Sequence, residues 1–500
     1  MREPAEIPPP LFDPQAARAR GPTLLVAPPL AAPVGAPPPA DGTEARPFAT
    51  IAAALRAAPD GAVIQLAAGD YSETVVLDRA LVLQGRGPFR TRLLAPDSSR
   101  WPADPEDPVV SLRGAGLAEL RALAIEGGAV GVDVIGAAVP ADGETWRDPG
   151  PGPAHRLVEV ALRGQYVAAL RVRGGRVSFV GGELLDTGLA RVGLGVECWG
   201  SRLELRGLLL RRAGHRGIEL RASRALLDGL DVEASGASAV QALDGSLVTV
   251  RGGRYSGQRG SAFFAGNAFL RLEGVRLDGN EYGVLGARGA RIELDGGEVL
   301  DQRVAGIALV NATASVRGTH IARGGTEAGL SALQSTAPVL IEDARIDDPG
   351  VNGVHLTRSS LVLRRSQISG AVHDGNGDFG DGIFAVESDL LLDQSTLTGN
   401  AGTGATLSRS ALQAVGTLLS ANGRAGIWLV DRSSLRATGN RFDRNRSGVE
   451  VGELSSASLG GNTFSGNREF AIDGVCGQSA VLELLQGNTF ATGVARRKCP

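Results

Sequence analysis

Residues 425–445, AGIWLVDRSSLRATGNRFDRN, contain the pattern that decides the fold. A small residue, Gly426, precedes two apolar residues, Ile427 and Leu429, which are separated by one position. A second alternation follows in Ser434-Leu435-Arg436-Ala437. Alternation with a period of two predicts short strands that bury one face. The density of Gly, Ser and Asn excludes helices here.

The pair of a small and an apolar residue recurs from about residue 195 at intervals of 21–24 residues, with one interval of 29. The pairs are Gly195-Val196, Gly217-Ile218, Ala239-Val240, Ala262-Phe263, Gly283-Val284, Gly306-Ile307, Gly329-Leu330, Gly353-Val354, Gly382-Ile383, Gly404-Ala405, Gly426-Ile427, Gly448-Val449 and Ala471-Ile472. Such a period indicates a solenoid. Three short strands in each coil predict an all-β fold, a right-handed parallel β-helix, because parallel crossovers are right-handed.

The composition also fits one repetitive architecture and excludes several classes of function. The chain has 71 glycines and only 21 aromatic residues among 500. A formal charge of −3 argues against a general nucleic-acid binder. Lys498 is the only lysine, which excludes lysine-based catalysis. No apolar run approaches the ~18 residues of a transmembrane helix.

The chain before the repeats divides into two parts. Residues 1–40 hold runs of proline and alanine and are predicted to form a disordered leader. Residues 41–500 are predicted to form the β-helix, with an N-terminal cap and first strands over 41–85 and regular coils over 195–490. Within the cap, apolar residues at helical spacing predict a short amphipathic helix: Phe48, Ile51, Ala52 and Leu55.

The cysteines and the first residues bear on the compartment. Cys476 and Cys499 are candidates for one disulfide in an oxidising compartment, and free thiols are the alternative. Cys198, at an inward position, is predicted to be a buried thiol. The start of the chain lacks the basic region and apolar core of a signal peptide. Either the protein is cytosolic, or it is exported by a signal that has been removed from this sequence.

The repeat resembles a known family. The Gly-Ile-x-Leu … Ser-Ser-Leu-x-Leu … Asn cycle is similar to the parallel β-helix repeats of the pectin-lyase-like superfamily. Residues 41–74, DGTEARPFATIAAALRAAPDGAVIQLAAGDYSET, resemble the N-terminal cap of bacterial extracytoplasmic members. The resemblance implies a β-helix, an exported setting and chemistry related to polysaccharides. It does not imply catalysis, since one fold carries many functions.

The residue between the two inward positions of each repeat points outward, so a ligand groove is expected there. In the middle of the repeats this column contains His355, Phe384 and Trp428. Phe384 and Trp428 are candidate binding residues for a sugar or a protein partner, and ordinary exposed strand residues are the alternative. Trp101 and Trp146, in two early insertions, are further candidates for a glycan-binding rim.

The interval of 29 residues contains HDGNGDFGD, residues 373–381. Asp374, Asn376 and Asp378 alternate as in the first half of a calcium loop, and Asp381 could supply a further oxygen. With His355 they are also the candidate catalytic residues. The sixth and twelfth positions do not fit an EF-hand loop, and Asp and Asn cluster in turns for structural reasons. A polar loop without metal therefore remains an alternative to calcium.

These observations predict an exported surface or scaffold protein without catalysis that binds glycans or cell-envelope proteins. It has no expected cofactor apart from this calcium. The alternative is a lyase, epimerase or hydrolase acting on acidic polysaccharides. Such an enzyme needs a base, and a cation or arginine that neutralises the uronate.

Overall fold

A computed structural model describes residues 21–28, 40–96, 107–114, 116–136, 154–188, 193–474 and 480–491, with the backbone of 495–496. The chain divides into two compact units, Met1–Arg254 and Tyr255–Pro500. Both are parallel β-solenoids, as the repeat predicts. In each unit the strands form three series, and each series consists of parallel strands from successive coils.

In the first unit, series 1 contains Val75–Leu77, Pro108–Arg113, Val130–Ile135, Ala168–Arg173, Leu194–Trp199, Ile218–Arg221 and Val240–Leu243. Series 2 contains Thr23–Val26, Val63–Leu66, Leu81–Gln84, Arg224–Asp228 and Leu247–Arg251. Series 3 contains Gly69–Tyr71, Thr91–Leu94 and Asp231–Glu233. Four long strands run through both series 2 and series 3: Ala118–Glu126, His155–Arg163, Arg176–Leu185 and Arg202–Arg211.

In the second unit, series 1 contains Ser261–Gly266, Tyr282–Ala287, Ala305–Val310, Ala328–Leu333, Asn352–Thr357, Ile383–Val386, Ala405–Ser408, Ala425–Val430, Ser447–Val451, Phe470–Asp473 and Ala495–Arg496. Series 2 contains Phe269–Glu273, Arg291–Asp295, Thr313–Arg317, Val339–Glu342, Ser360–Arg364, Asp389–Asp393, Ala411–Val415, Ser434–Thr438, Ser456–Gly460 and Val481–Leu484. Series 3 contains Arg276–Asp278, Glu298–Leu300, His320–Ala322, Arg345–Asp347, Gln367–Ser369, Thr396–Thr398, Leu418–Ser420, Arg441–Asp443, Thr463–Ser465 and Thr489–Phe490. Strand Arg254–Ser256 lies at the boundary of the two units.

The corners between the series are made by residues with left-handed backbone conformation. In the coil that begins at Ala405, these are Arg409, Gly416 and Ala421, with φ angles of 48°, 57° and 53°. The preceding coil has Glu387 at the corresponding first corner, with φ 51°. The same three corners recur along the chain, so each coil turns at fixed places and its strands start in register with those of the next.

The small residue of the repeat is required by the close approach of successive coils. A Cβ atom added to Gly404 would lie 2.5 Å from the carbonyl oxygen of Gly426 in the next coil. The inward residues that follow it form the core, and Ile427 and Leu429 are fully buried. Farther around the coil, the rings of Phe442 and Phe464 stack with centroids 4.9 Å apart.

The cap helix is confirmed, but its buried face differs from the predicted stripe. It spans Ile51–Ala57 and is capped by Thr50, whose hydroxyl accepts a hydrogen bond from the Ala53 amide. The carboxylate of Glu73 accepts hydrogen bonds from the first two helical amides, at 2.9 and 3.0 Å. Ile51 and Ala54 are buried and Ala52 is exposed. Phe48 lies before the helix and pairs as a β-bridge with Val26.

The prediction of a disordered leader over residues 1–40 is wrong for Thr23–Val26. This segment, TLLV, forms a strand parallel to Val63–Leu66, and Val26 is only 1% exposed. Two β-branched residues, Thr23 and Val26, flank two leucines, and this short segment extends series 2 by one strand. Residues 1–20 and 29–39 lie outside the described part of the chain.

Buried asparagines connect successive coils at the corner between series 3 and series 1. The amides of Asn400 and Asn422 donate hydrogen bonds to the side-chain oxygens of Asn422 and Asn445, at 3.3 and 3.0 Å. The Nδ2 of Asn422 also donates to the carbonyl oxygen of Leu397, at 3.2 Å. Each of these asparagines therefore satisfies backbone groups that the turn leaves without strand partners.

We expect Asn422→Ala to lower the free energy of unfolding by ~2–4 kcal/mol, because it leaves buried donors and acceptors without partners. Denaturant unfolding measures the change. Asn376→Ala, at an exposed loop position, is the control and should leave stability within error. Equal stability of the two variants would contradict a supporting role for the buried asparagines.

Candidate functional site

The loop 373–381 is held by its own hydrogen bonds. The Oδ1 of Asp374 accepts hydrogen bonds from the amides of Asn376 and Asp378, both at 2.9 Å. The amide of Asp374 donates to the carbonyl oxygen of Asp378, at 2.9 Å. Asn376 and Asp378 are exposed. Asp374 therefore acts as the capping residue of a turn.

Asp381 lies apart from this turn and belongs to the coil stack. It is 6% exposed, its amide donates to the Oδ1 of Asn352, and its own Oδ1 accepts from the amide of Thr403, at 2.6 Å. Burial raises the pKa of Asp381, while hydrogen bonds from Thr403 and Thr406 and the charge of Arg424 oppose the rise. Asp381 thus connects neighbouring coils in the same way as the buried asparagines.

A calcium site at this loop is not supported by the arrangement of its residues. Among the described residues, His, Cys, Asp and Glu side chains form no group of three or more that could hold a metal ion. Asp374, Asp378 and Asp381 are therefore not such a group. Calcium binding at this loop stays a prediction. The sequence does not reveal that Asp374 caps the turn, nor that Asp381, just before strand Ile383–Val386, bonds to neighbouring coils.

His355 and Phe384, two of the predicted site residues, do lie together. They are paired in register on neighbouring strands of series 1, and their rings meet edge to face with centroids 5.3 Å apart. Phe379, which the sequence analysis did not select, adds a third ring 5.5 Å from that of Phe384. Burial lowers the pKa of His355, and nearby Glu327 opposes the shift.

Trp428 lies farther along the same column, with the buried Thr406 between it and Phe384. The guanidinium of Arg424 covers one face of the indole, 3.2 Å from the ring centroid. The Nε of Arg424 donates to Glu450 at 3.0 Å. Sequence reasoning missed Arg424, although its signal was present: it is two residues before the small Gly426, a position that also points outward.

We call His355, Phe379, Phe384, Thr406 and Trp428 the ring strip. The column beside it along series 1 is free of charge: it contains Val310, Leu333, Thr357, Val386, Ser408 and Val430. Val310 and Leu333 are 40% and 37% exposed. The column beside the ring strip therefore offers only apolar and uncharged polar side chains.

The first unit carries a different column at the equivalent outward position. Asp133, Arg171, Glu197 and Glu219 follow one another in register on series 1, and we call them the charged column. Arg171 donates to Glu197 at 2.7 Å, and Asp133 is 2% exposed and Glu219 4%. Glu197 and Glu219 fall at the outward position of the repeat that begins at about residue 195, whereas Asp133 and Arg171 precede that repeat.

Glu219 also accepts hydrogen bonds from two flanking arginines, Arg216 and Arg221. Arg173, in the next outward column, donates to Asp133 at 2.7 Å. The carboxylates of the charged column are thus all paired with guanidinium groups. Such a network either stabilises the sheet or positions charge for a ligand.

Several predicted residues lie outside the described part of the chain. These are Trp101, Trp146, Cys476 and Cys499. Cys198 is fully buried and free, and burial raises the pKa of its thiol to about 12. Within the described ranges, no helix has the length and apolar character needed to cross a membrane.

Two family models match the chain. Residues 328–490 match the family described as "Right handed beta helix region", and residues 35–78 match "Protein of unknown function (DUF1565)". Together with the parallel strand series, the first match confirms the predicted right-handed parallel β-helix. No curated protein matches the chain.

Solved structures with β-helices are similar to the chain at low identity. A mutant of the periplasmic alginate epimerase AlgG is 12% identical, with a TM-score of 0.32, over 66% of this chain and 78% of its own. The α-1,3-glucanase catalytic unit of Streptomyces thermodiastaticus is 15% identical, with a TM-score of 0.24, over 93% and 69%. The mannuronan C-5 epimerase AlgE4 A-module of Azotobacter vinelandii is 11% identical, with a TM-score of 0.20, over 90% and 92%. Similarity this low does not assign a function.

Proposed function

We propose that this chain is an exported surface or scaffold protein that binds a polysaccharide along the ring strip, without catalysis. The observation that carries the proposal is the placement of His355, Phe384 and Trp428 in one outward column of series 1. Aromatic rings provide rigid apolar surface that contacts the C–H faces of sugars at small cost in conformational entropy.

The geometry of the ring strip favours a linear ligand. Successive coils stack about 4.8 Å apart, so the column from His355 to Trp428 extends over roughly 14 Å along the stacking direction. Phe379 widens it at one end, where its side chain is 43% exposed. A chain of sugar units can follow such a strip, whereas a compact ligand would contact only part of it.

The exposed groups around the rings can add hydrogen bonds. Arg424, whose side chain is 37% exposed, presents its guanidinium beside the indole of Trp428. Ser331, half-buried, precedes His355 in the same column. A few polar groups around apolar contact surface are typical of ligand sites in which the polar groups fix orientation.

We expect Phe384→Ala and Trp428→Ala each to weaken polysaccharide binding about tenfold or more, as the loss of a central aromatic contact does. Affinity electrophoresis in gels that contain single polysaccharides identifies a ligand, and calorimetry gives the Kd. Phe89→Ala removes an aromatic ring that is 81% exposed in the first unit and should leave the Kd unchanged. Unchanged binding by both ring variants would refute the proposal.

A second candidate is an acidic-polysaccharide lyase, epimerase or hydrolase that uses the charged column. Glu197 and Glu219 are register partners on neighbouring strands, and Arg171, Arg216 and Arg221 surround them. Carboxylates beside arginines are the groups that proton abstraction next to a uronate, or glycoside hydrolysis, requires. The complete pairing of these carboxylates with arginines favours a structural role, which places this candidate second.

If the second candidate is correct, incubation with the protein should convert alginate or polygalacturonate into unsaturated or shortened products. The assay is run with and without a chelator. Glu219→Gln should then abolish turnover. Glu233→Gln, an exposed carboxylate paired with Arg211, should retain it. Ultraviolet absorbance and product chromatography measure the reaction, and NMR of the recovered polymer detects epimerisation. If all of these polymers remain unchanged, the second candidate is ruled out.

A further inference from the structure

We infer that the polysaccharide bound by the ring strip is uncharged, and that Glu450 determines this preference by neutralising Arg424 and Arg446. The inference rests on the proposed function. Glu450 is the register partner that follows Trp428 in the outward column of series 1. It is 6% exposed.

Both carboxylate oxygens of Glu450 are occupied by arginine. Oε2 accepts a hydrogen bond from the Nε of Arg424, at 3.0 Å, and Oε1 accepts one from the Nη2 of Arg446, at 3.3 Å. Arg446 has a second acidic neighbour, Glu469, at 3.6 Å. Arg424, which covers Trp428, and Arg446 therefore already have anionic partners, and an acidic sugar would have to compete with them.

From Ser331 to Val430, the outward column of the ring strip and the uncharged column beside it contain no arginine or lysine of their own. His355 is half-buried, and its lowered pKa keeps the imidazole neutral at pH 7. Two carboxylates add negative charge. Glu327 lies two positions before the small residue of its coil, and Asp473 lies at the end of the outward column. The neighbouring column of Val, Leu, Thr and Ser has no charge at all.

These charges decide between two classes of polysaccharide. A polyuronate presents one carboxylate per sugar and needs unpaired cations along its path. On the ring strip it would meet two neutralised arginines and several carboxylates, so binding would be repulsive or neutral. An uncharged glycan needs only ring contacts and hydrogen bonds, and loses nothing when the arginines are paired.

The experiment compares the full chain and its Glu450→Gln variant on two sets of polysaccharides, by affinity electrophoresis and calorimetry. The uncharged set contains soluble glucans, mannans and xylans, and the acidic set contains alginate and polygalacturonate. We expect the natural chain to bind at least one uncharged polymer and to bind no acidic polymer more tightly. Glu450→Gln should gain about tenfold in affinity for an acidic polymer, because it releases Arg424 and leaves Arg446 with only the more distant Glu469, and added salt should remove the gain.

Two further variants separate release of these arginines from a general change in charge. Glu469→Gln removes a carboxylate that is 50% exposed and leaves Glu450 in place, so it should not produce the gain. Arg424→Gln combined with Glu450→Gln should reduce it. Melting temperatures report whether each variant is folded. If Glu450→Gln does not fold, the preference of the natural chain still decides the ligand class.

Each outcome has a separate meaning. Tighter binding of acidic than of uncharged polymers by the natural chain overturns the inference but leaves the proposed function standing. A folded Glu450→Gln variant without a gain overturns the role of Glu450. Binding of no polymer from either set contradicts the proposed function itself.

Discussion

The left-handed backbone conformation at the corners of each coil is the constraint on which the rest of the structure depends. Three corner residues per coil turn the chain at fixed places, as Arg409, Gly416 and Ala421 do, so the strands of successive coils coincide in register. Because side chains alternate across a strand, this register aligns every outward position into a column. The ring strip and the charged column both result from that alignment.

The corners also help to explain why nearly all basic residues of the chain are arginine. Several non-glycine corner residues form ion pairs with the corner of a neighbouring coil: Arg212 with Asp186, Arg323 with Asp301, Arg365 with Asp343 and Arg409 with Glu387. The planar guanidinium can bind a carboxylate through two nitrogens, which a lysine cannot do. These pairs lie on the surface, so each contributes modestly to stability. Their repetition favours one register over alternatives.

The sequence predicted features that repeat and missed features that depend on single contacts. The recurring pair of Gly426-Ile427 type specified the strands, and the column containing His355, Phe384 and Trp428 followed from period-two alternation. The pairing of Arg424 with Glu450 could not be predicted, because the two residues are 26 positions apart and only the three-dimensional register brings them together. The hydrogen bonds of Asp374 in the loop could not be predicted either, although they are local. Asp374 resembles a metal ligand in composition, but local hydrogen bonds determine its role.

The most direct test of this account uses two alanine-to-glycine substitutions. Ala421 is an exposed corner residue with φ 53°, and Ala425 is a fully buried strand residue. Relief of ~1–2 kcal/mol of left-handed strain outweighs the smaller entropic cost of glycine. Ala421→Gly should therefore raise the free energy of unfolding by ~0.5–1 kcal/mol, and Ala425→Gly should lower it by about 1 kcal/mol. Destabilisation of similar size by both substitutions, measured by denaturant unfolding, would contradict the central role of the corners.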